Sequence, residues 1–163
     1  MVNLIIMRHG EAQAQAMQDS QRALTNRGKA EVTQMAQWLK QCYAGFDYCL
    51  VSPYLRTRQT AELMLLKQPG SCQLQIDAAL VPDGEISKVQ NLVDARFAEQ
   101  PDCRILIVSH MPMVSFLVET FTQAGQAPVF PTAGLVCIDY QLEKGGRLLE
   151  KLSPQELALS QHN

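Results

Sequence analysis

The chain has 163 residues, 47% of them hydrophobic and 18% charged, with a formal net charge of −2. That length suits one domain with a substantial core, and the balance is the reverse of what disorder requires. A small negative net charge gives no electrostatic footprint for nucleic acid or an anionic membrane, so any positive potential must come from clustered side chains.

From the N-terminus, residues 3–7 form an apolar run suited to a strand covered on both faces. Residues 11–24 are rich in Gln and Ala without a clean period, which reads as a loop with a helical turn. Thr25 is placed to cap a helix in which Gly28, Val32, Met35, Leu39 and Cys42 recur at helical spacing, with Gly45 ending it. Tyr48–Val51 is a second apolar strand. Ser52 then reads as a cap, with Pro53 at the first position of a helix reaching to Leu66. Pro69-Gly70 stops that helix, and the weak alternation of Gln73–Ile76 marks a strand nearer the sheet edge.

The turn Pro82-Asp83-Gly84 precedes a helix carrying Ile86, Val89, Leu92, Val93 and Phe97. Residues 104–108 are the most strand-like stretch of the chain. Pro112 opens another helix through Phe121, and residues 125–132 read as loop. Residues 135–140 and 147–152 pair around Glu143-Lys144-Gly145-Gly146 as an antiparallel hairpin. Residues 153–163 read as a flexible tail. No repeat, linker or low-complexity block divides the chain, so the expectation is one domain over residues 1–163. Its fold class is α/β: a three-layer α/β/α arrangement with a mainly parallel sheet and an antiparallel edge hairpin.

The apolar stretch at residues 4–7 is too short for a secretory signal and runs into Arg8 and His9. No segment approaches the roughly 20 apolar residues of a membrane span. The five cysteines, Cys42, Cys49, Cys72, Cys103 and Cys137, are scattered without a C-x-x-C spacing. Buried, reduced thiols in a cytoplasmic protein fit that pattern better than a disulfide framework or a zinc site.

Three short pieces carry the chemistry. Arg8-His9-Gly10 follows the first strand, Ser52-Pro53-Tyr54-Leu55-Arg56 the second, and Ser109-His110-Met111-Pro112 the strand at 104–108. In an open α/β sheet, ligands bind beyond the carboxyl ends of the strands. Two histidines and at least two arginines should therefore converge on one crevice, which suits phosphate chemistry. A planar guanidinium can make two parallel bonds to phosphate oxygens, and helix amides beyond Pro112 favour an anion near His110. Arg58 lies two residues past Arg56, on the other side of the helix, and reads as a surface charge. His162 is given no role. A metal site is not expected, because the arginines would repel a divalent cation, and no cofactor is implied.

These segments, with Arg22-Ala23-Leu24-Thr25 and Gln59-Thr60, resemble the histidine phosphatase superfamily, whose fold is phosphoglycerate mutase-like. Within it they are similar to the short bacterial phosphohistidine phosphatases of the SixA type. The match spans nearly the whole chain in order; Ala23 departs from a pattern that commonly has proline. The resemblance implies that His9 is a nucleophile carrying the phosphoryl group, that Arg8, Arg22 and Arg56 bind phosphate, and that His110 stabilises the group in transfer. It further implies a histidine-containing phosphotransfer domain of a hybrid sensor kinase as partner in a phosphorelay. A monomer in the cytoplasm, without nucleic acid or membrane, completes the expectation.

A proton donor is harder to find. Glu85 is a candidate, with Asp83 and Glu11 as alternatives, yet Glu85 equally suits the first turn of a helix. Departing imidazole needs less protonation than an alkoxide, and short connections leave little chain for a lid. Both favour a phosphohistidine protein as substrate. A small-molecule phosphomonoesterase or mutase of the same superfamily, and a non-catalytic phosphohistidine-binding module, are the alternatives.

Overall fold

A computed structural model of the chain describes residues 1–123 and 127–160. Its elements in chain order are β1 (Leu4–Arg8), α1 (Asn26–Cys42), β2 (Tyr48–Val51), α2 (Leu55–Leu65), β3 (Gln73–Ile76), α3 (Ile86–Glu99), β4 (Ile105–Ser109), α4 (Met113–Phe121), β5 (Leu135–Gln141), β6 (Gly145–Leu152) and α5 (Pro154–Ser160). Single turns of 3₁₀ helix occupy Asp19–Gln21 and Ala78–Leu80.

The sheet runs in the order β3-β2-β4-β1-β5-β6. The pairs β2–β3, β2–β4 and β1–β4 are parallel, while β1–β5 and β5–β6 are antiparallel. This is the expected three-layer α/β/α fold with its antiparallel edge hairpin. Alternation along each strand sorts the core into two layers. Leu4 and Ile6 of β1 and Ile105 and Ile107 of β4 pack with Val89, Val93, Leu117 and Phe121 of α3 and α4. Ile5, Met7, Leu106 and Val108 point the other way, onto Val32, Met35 and Leu39 of α1 and Ala61 and Met64 of α2.

Thr25 caps α1 as expected, its Oγ1 accepting from the Gly28 amide at 3.0 Å. Gly28 is required there for a second reason: a Cβ at this position would lie 2.1 Å from the Glu11 carbonyl oxygen. Only glycine lets α1 press its first turn against the segment leaving β1. Cys42, by contrast, is exposed at the end of the helix.

Two expectations are corrected. Ser52 does not cap α2, which begins at Leu55 after Tyr54; its hydroxyl has another partner, described below. Nor is the chain beyond Ser153 a tail throughout. Pro154–Ser160 is helical, with Ser153 Oγ accepting from the Glu156 amide at 3.2 Å, and Pro154 buried. Leu157 packs against the α1 layer of the core. A helix that short gains stability from packing and its cap rather than from propensity, which a search for periodicity does not see. His162 lies outside the described residues, as does part of the loop expected at 125–132.

Candidate active site

Strand register assembles the site. β1 and β4 are aligned so that Arg8 lies beside Ser109, and β2 and β4 so that Val51 lies beside Val108. The ladder extends one step further: the His9 amide donates to the Ser109 carbonyl at 3.1 Å, and the Ser52 amide to the Val108 carbonyl at 3.3 Å. His9, Ser52 and His110 therefore leave three adjacent parallel strands at the same level. The two imidazoles meet edge to face, with ring centroids 5.3 Å apart.

Each side chain is held from behind. His9 Nδ1 is 2.7 Å from the Gly10 carbonyl oxygen. A carbonyl only accepts, so this contact places the ring proton on Nδ1 and leaves the lone pair on Nε2. The Gly10 amide donates to Thr60 Oγ1 at 3.1 Å, and that hydroxyl donates to the Arg56 carbonyl at 2.7 Å. Arg56 and Thr60 are one helical turn apart on the inner face of α2, both buried. His110 Nε2 is 2.8 Å from Ser52 Oγ, and its ring stacks edge-on against Tyr54 at 5.0 Å. Tyr54 also lies under the Arg56 guanidinium, 4.9 Å from ring centre to carbon.

The segment between β1 and α1 folds back over this cluster. An isolated antiparallel bridge joins Ala12 and Leu24, and the Gln59 side chain accepts from the Leu24 amide at 2.8 Å. At its tip, Asp19 faces two arginines. Its carboxylate accepts from Arg22 Nε at 2.8 Å and Arg56 Nη2 at 3.1 Å, and its carbonyl accepts from Arg56 Nη1 at 2.8 Å. Arg8 Nη1 donates to the Phe130 carbonyl at 2.8 Å. Arg8, His9, Arg22, Arg56 and His110 all line one crevice of about 400 Å³, together with Asp19 and Glu11.

Burial, and then the field of the neighbouring charges, keeps both imidazoles neutral. Burial, then the charges of Arg56, Arg8 and Arg22, push His9 down to about 4, against the opposing hydrogen bond to Gly10. Burial, His9 and Arg56 push His110 down to about 3. Burial and the neighbouring Arg56 also lower Arg8. Burial raises Asp19, but hydrogen bonds from Arg56 and Arg22 outweigh it, so its carboxyl is ionised below the usual range.

Comparison with known proteins decides the family. The model of the histidine phosphatase superfamily (branch 1) matches residues 4–81. The phosphohistidine phosphatase SixA of Escherichia coli is 31% identical over 161 residues, covering 98% of both chains. The chain belongs to the histidine phosphatase superfamily. A SixA homolog of Haemophilus influenzae is 29% identical over 94% of this chain and 97% of its own. A solved structure of the protein histidine phosphatase SixA complexed with tungstate superposes with a TM-score of 0.90. It is 31% identical and covers 95% of this chain and 99% of that one.

For this histidine phosphatase, the expected proton donor does not join the site. Glu85 precedes α3 as its N-terminal boundary residue, is exposed, and does not line the crevice; Asp83 is likewise exposed outside it. Glu11 does line it, but its Oε1 accepts from Thr25 Oγ1 at 2.8 Å, which ties it to the cap of α1. Arg58 is exposed and donates to the Pro53 carbonyl at 3.0 Å. Among the described residues, no group of three His, Cys, Asp or Glu is arranged to hold a metal ion.

Two residues in contact with the candidate site, Ser52 and Asp19, escape sequence reading. Ser52 shows the spacing of a helix cap, and its contact with His110 spans 58 positions. Asp19 lies in an aperiodic Gln- and Ala-rich stretch, where its three-residue spacing from Arg22 was the one available signal.

Proposed function

We propose that the protein is a phosphohistidine phosphatase that removes phosphate from a histidine-containing phosphotransfer domain, through a phosphorylated His9. The observation that carries this reading is the locked, neutral His9 ring: Nδ1–H is committed to the Gly10 carbonyl, so Nε2 is the nucleophile, beside three guanidinium groups and a second imidazole. Attack by Nε2 on phosphorus forms a P–N bond to His9 as the P–N bond of the substrate breaks, and the departing imidazole takes up a proton from solvent. Water then attacks the enzyme phosphohistidine, releasing inorganic phosphate and restoring His9.

Arg8, Arg22 and Arg56 hold the equatorial oxygens in this scheme, which is most of the catalytic work in phosphoryl transfer. Buried nitrogens of Arg8 (Nε), Arg56 (Nε) and His110 (Nδ1) have no hydrogen-bond partner among the described residues. His110 donates from Nδ1 when Ser52 donates to Nε2, so Ser52 sets the tautomer that serves the phosphoryl. The absence of a poised carboxylic acid from the crevice favours an imidazole leaving group over an alkoxide.

The SixA relatives support phosphohistidine as the substrate class. A hybrid sensor kinase as partner in a phosphorelay, a monomeric state and a cytoplasmic setting belong to the same proposal. The five free cysteines are in keeping with a reducing compartment. The test is turnover of a purified phosphorylated phosphotransfer domain against a small sugar phosphate. The expected result is a kcat/KM at least about 100-fold higher on the protein, from added contact and leaving-group ability. Preference for the sugar phosphate would make the protein a small-molecule phosphomonoesterase, and binding without turnover a phosphohistidine-binding module.

A further inference from the structure

We propose that Asp19 is a built-in counter-anion that occupies the arginine clamp in the free enzyme and must yield before a phosphoryl group can bind, making it a residue that sets substrate preference. This rests on the reading of the crevice as a phosphoryl site. The carboxylate of Asp19 bridges Arg22 and Arg56, and its carbonyl takes the other terminal nitrogen of Arg56. Both terminal nitrogens of the buried Arg56 are thus engaged by one residue. Yet the Asp19 side chain is 58% exposed and sits on a single 3₁₀ turn at the tip of a loop, whereas the Arg56 side chain is 4% exposed. The anion is carried by the exposed partner and the clamp by the buried one, so the anion is the part that can leave.

The alternative of a general acid does not fit. A carboxylate gripped by two guanidinium groups is ionised and has no proton to give. As a counter-anion, it has two consequences. An incoming phosphate must displace it, which weakens the binding of any ligand that offers little besides its phosphate. A phosphoryl group presented on a protein surface brings further contact to offset that cost. After hydrolysis, the carboxylate returns to the arginines as inorganic phosphate departs, which limits product inhibition.

The experiment is binding of inorganic phosphate to wild type, Asp19→Asn and Arg56→Ala, by calorimetry and by competitive inhibition of turnover. Asn keeps an acceptor for Arg22 but removes the charge. Asp19→Asn is expected to bind phosphate on the order of tenfold more tightly than wild type, with Arg56→Ala binding it far more weakly. The KM for a small aryl phosphate should fall in parallel, while the preference for a phosphohistidine protein narrows. Unchanged or weaker phosphate binding by Asp19→Asn, with Arg56→Ala still impaired, would overturn the counter-anion role and leave Asp19 as a positioning residue of an intact clamp. If Arg56→Ala bound phosphate as wild type does, the phosphoryl site itself would be misplaced. Thermal melts of each variant separate these outcomes from misfolding.

Discussion

Two hollows at opposite ends of the sheet differ in what they hold. The larger, about 780 Å³, lies where β1 begins and β5 ends, lined by Asn3, Phe97, Asp102, Asp139, Tyr140 and Lys144 among others. Among the described residues its lining includes no histidine or arginine, and its N-terminal ammonium is paired with Asp139 at 3.1 Å. The smaller, about 400 Å³, lies beyond the carboxyl ends of β1, β2 and β4 and gathers two histidines and three arginines. Volume therefore does not mark the site. Parallel strands deliver successive chain segments to the same end of the sheet, and the side chains proposed to act on phosphate stand at that end.

The sharpest way to break this contrast is to remove the proposed nucleophile. His9→Ala should keep the fold and lose at least about 10⁴-fold in kcat, as for other enzymes deprived of their nucleophile. Turnover near the wild-type rate would show that the crevice is not where chemistry occurs.

Next in size is the clamp. Arg56→Ala should lower kcat/KM by about 10²-fold or more, while Arg58→Ala, on the outer face of the same helix, should change it less than about twofold. Equal losses from the two would mean that placement on the inner face of α2 confers nothing.

Acidification probes the same end of the sheet through stability. His9 and His110 are held at about 4 and about 3 in the fold, against an ordinary 6.5. Below pH 6.5 the unfolded chain takes up these protons and the folded chain does not. The stability that the neutral rings contribute is thus fully present above that pH and lost as pH falls toward the folded values. Each histidine should contribute a slope of up to about 1.4 kcal/mol per pH unit in that window. Denaturant titrations at pH 7, 5.5 and 4.5 should show the decline, and His110→Asn should flatten it. A decline that the variant leaves unchanged would remove the evidence for two buried neutral imidazoles.

The smallest effects should come from groups outside the crevice. Glu85→Gln, and Asp102→Asn in the larger hollow, should each leave turnover within about twofold of wild type. A tenfold loss from either would extend the site beyond the strand ends.

Much of this arrangement is legible in the residues. β2 and β3 carry their expected bounds, the first as a short apolar run and the second as a short alternation bounded by turn signals. The hairpin of β5 and β6 is expected around Glu143-Lys144-Gly145-Gly146, and the pairing extends two residues further, with Gly145 and Gly146 opening β6. His9 and His110 fall together because each directly follows a recognisable strand, and Arg56 joins them from the first turn of α2. What is not legible depends on distant partners. Ser52 looks like a cap until His110 is beside it, and Asp19 acquires meaning only when α2 presents Arg56 to it. Glu85 shows the converse: its position before a helix is plain in the sequence, but its absence from the crevice lining is not.

The central claim, a phosphoryl group carried on His9, is tested most directly by trapping it. Wild-type enzyme mixed briefly with a radiolabelled phosphohistidine protein and quenched in base should carry label on a peptide containing His9. The label should survive alkali and be lost in acid, as a phosphoramidate is. Label that survives acid, label elsewhere in the chain, or an unlabelled enzyme that nonetheless turns over substrate would contradict the account.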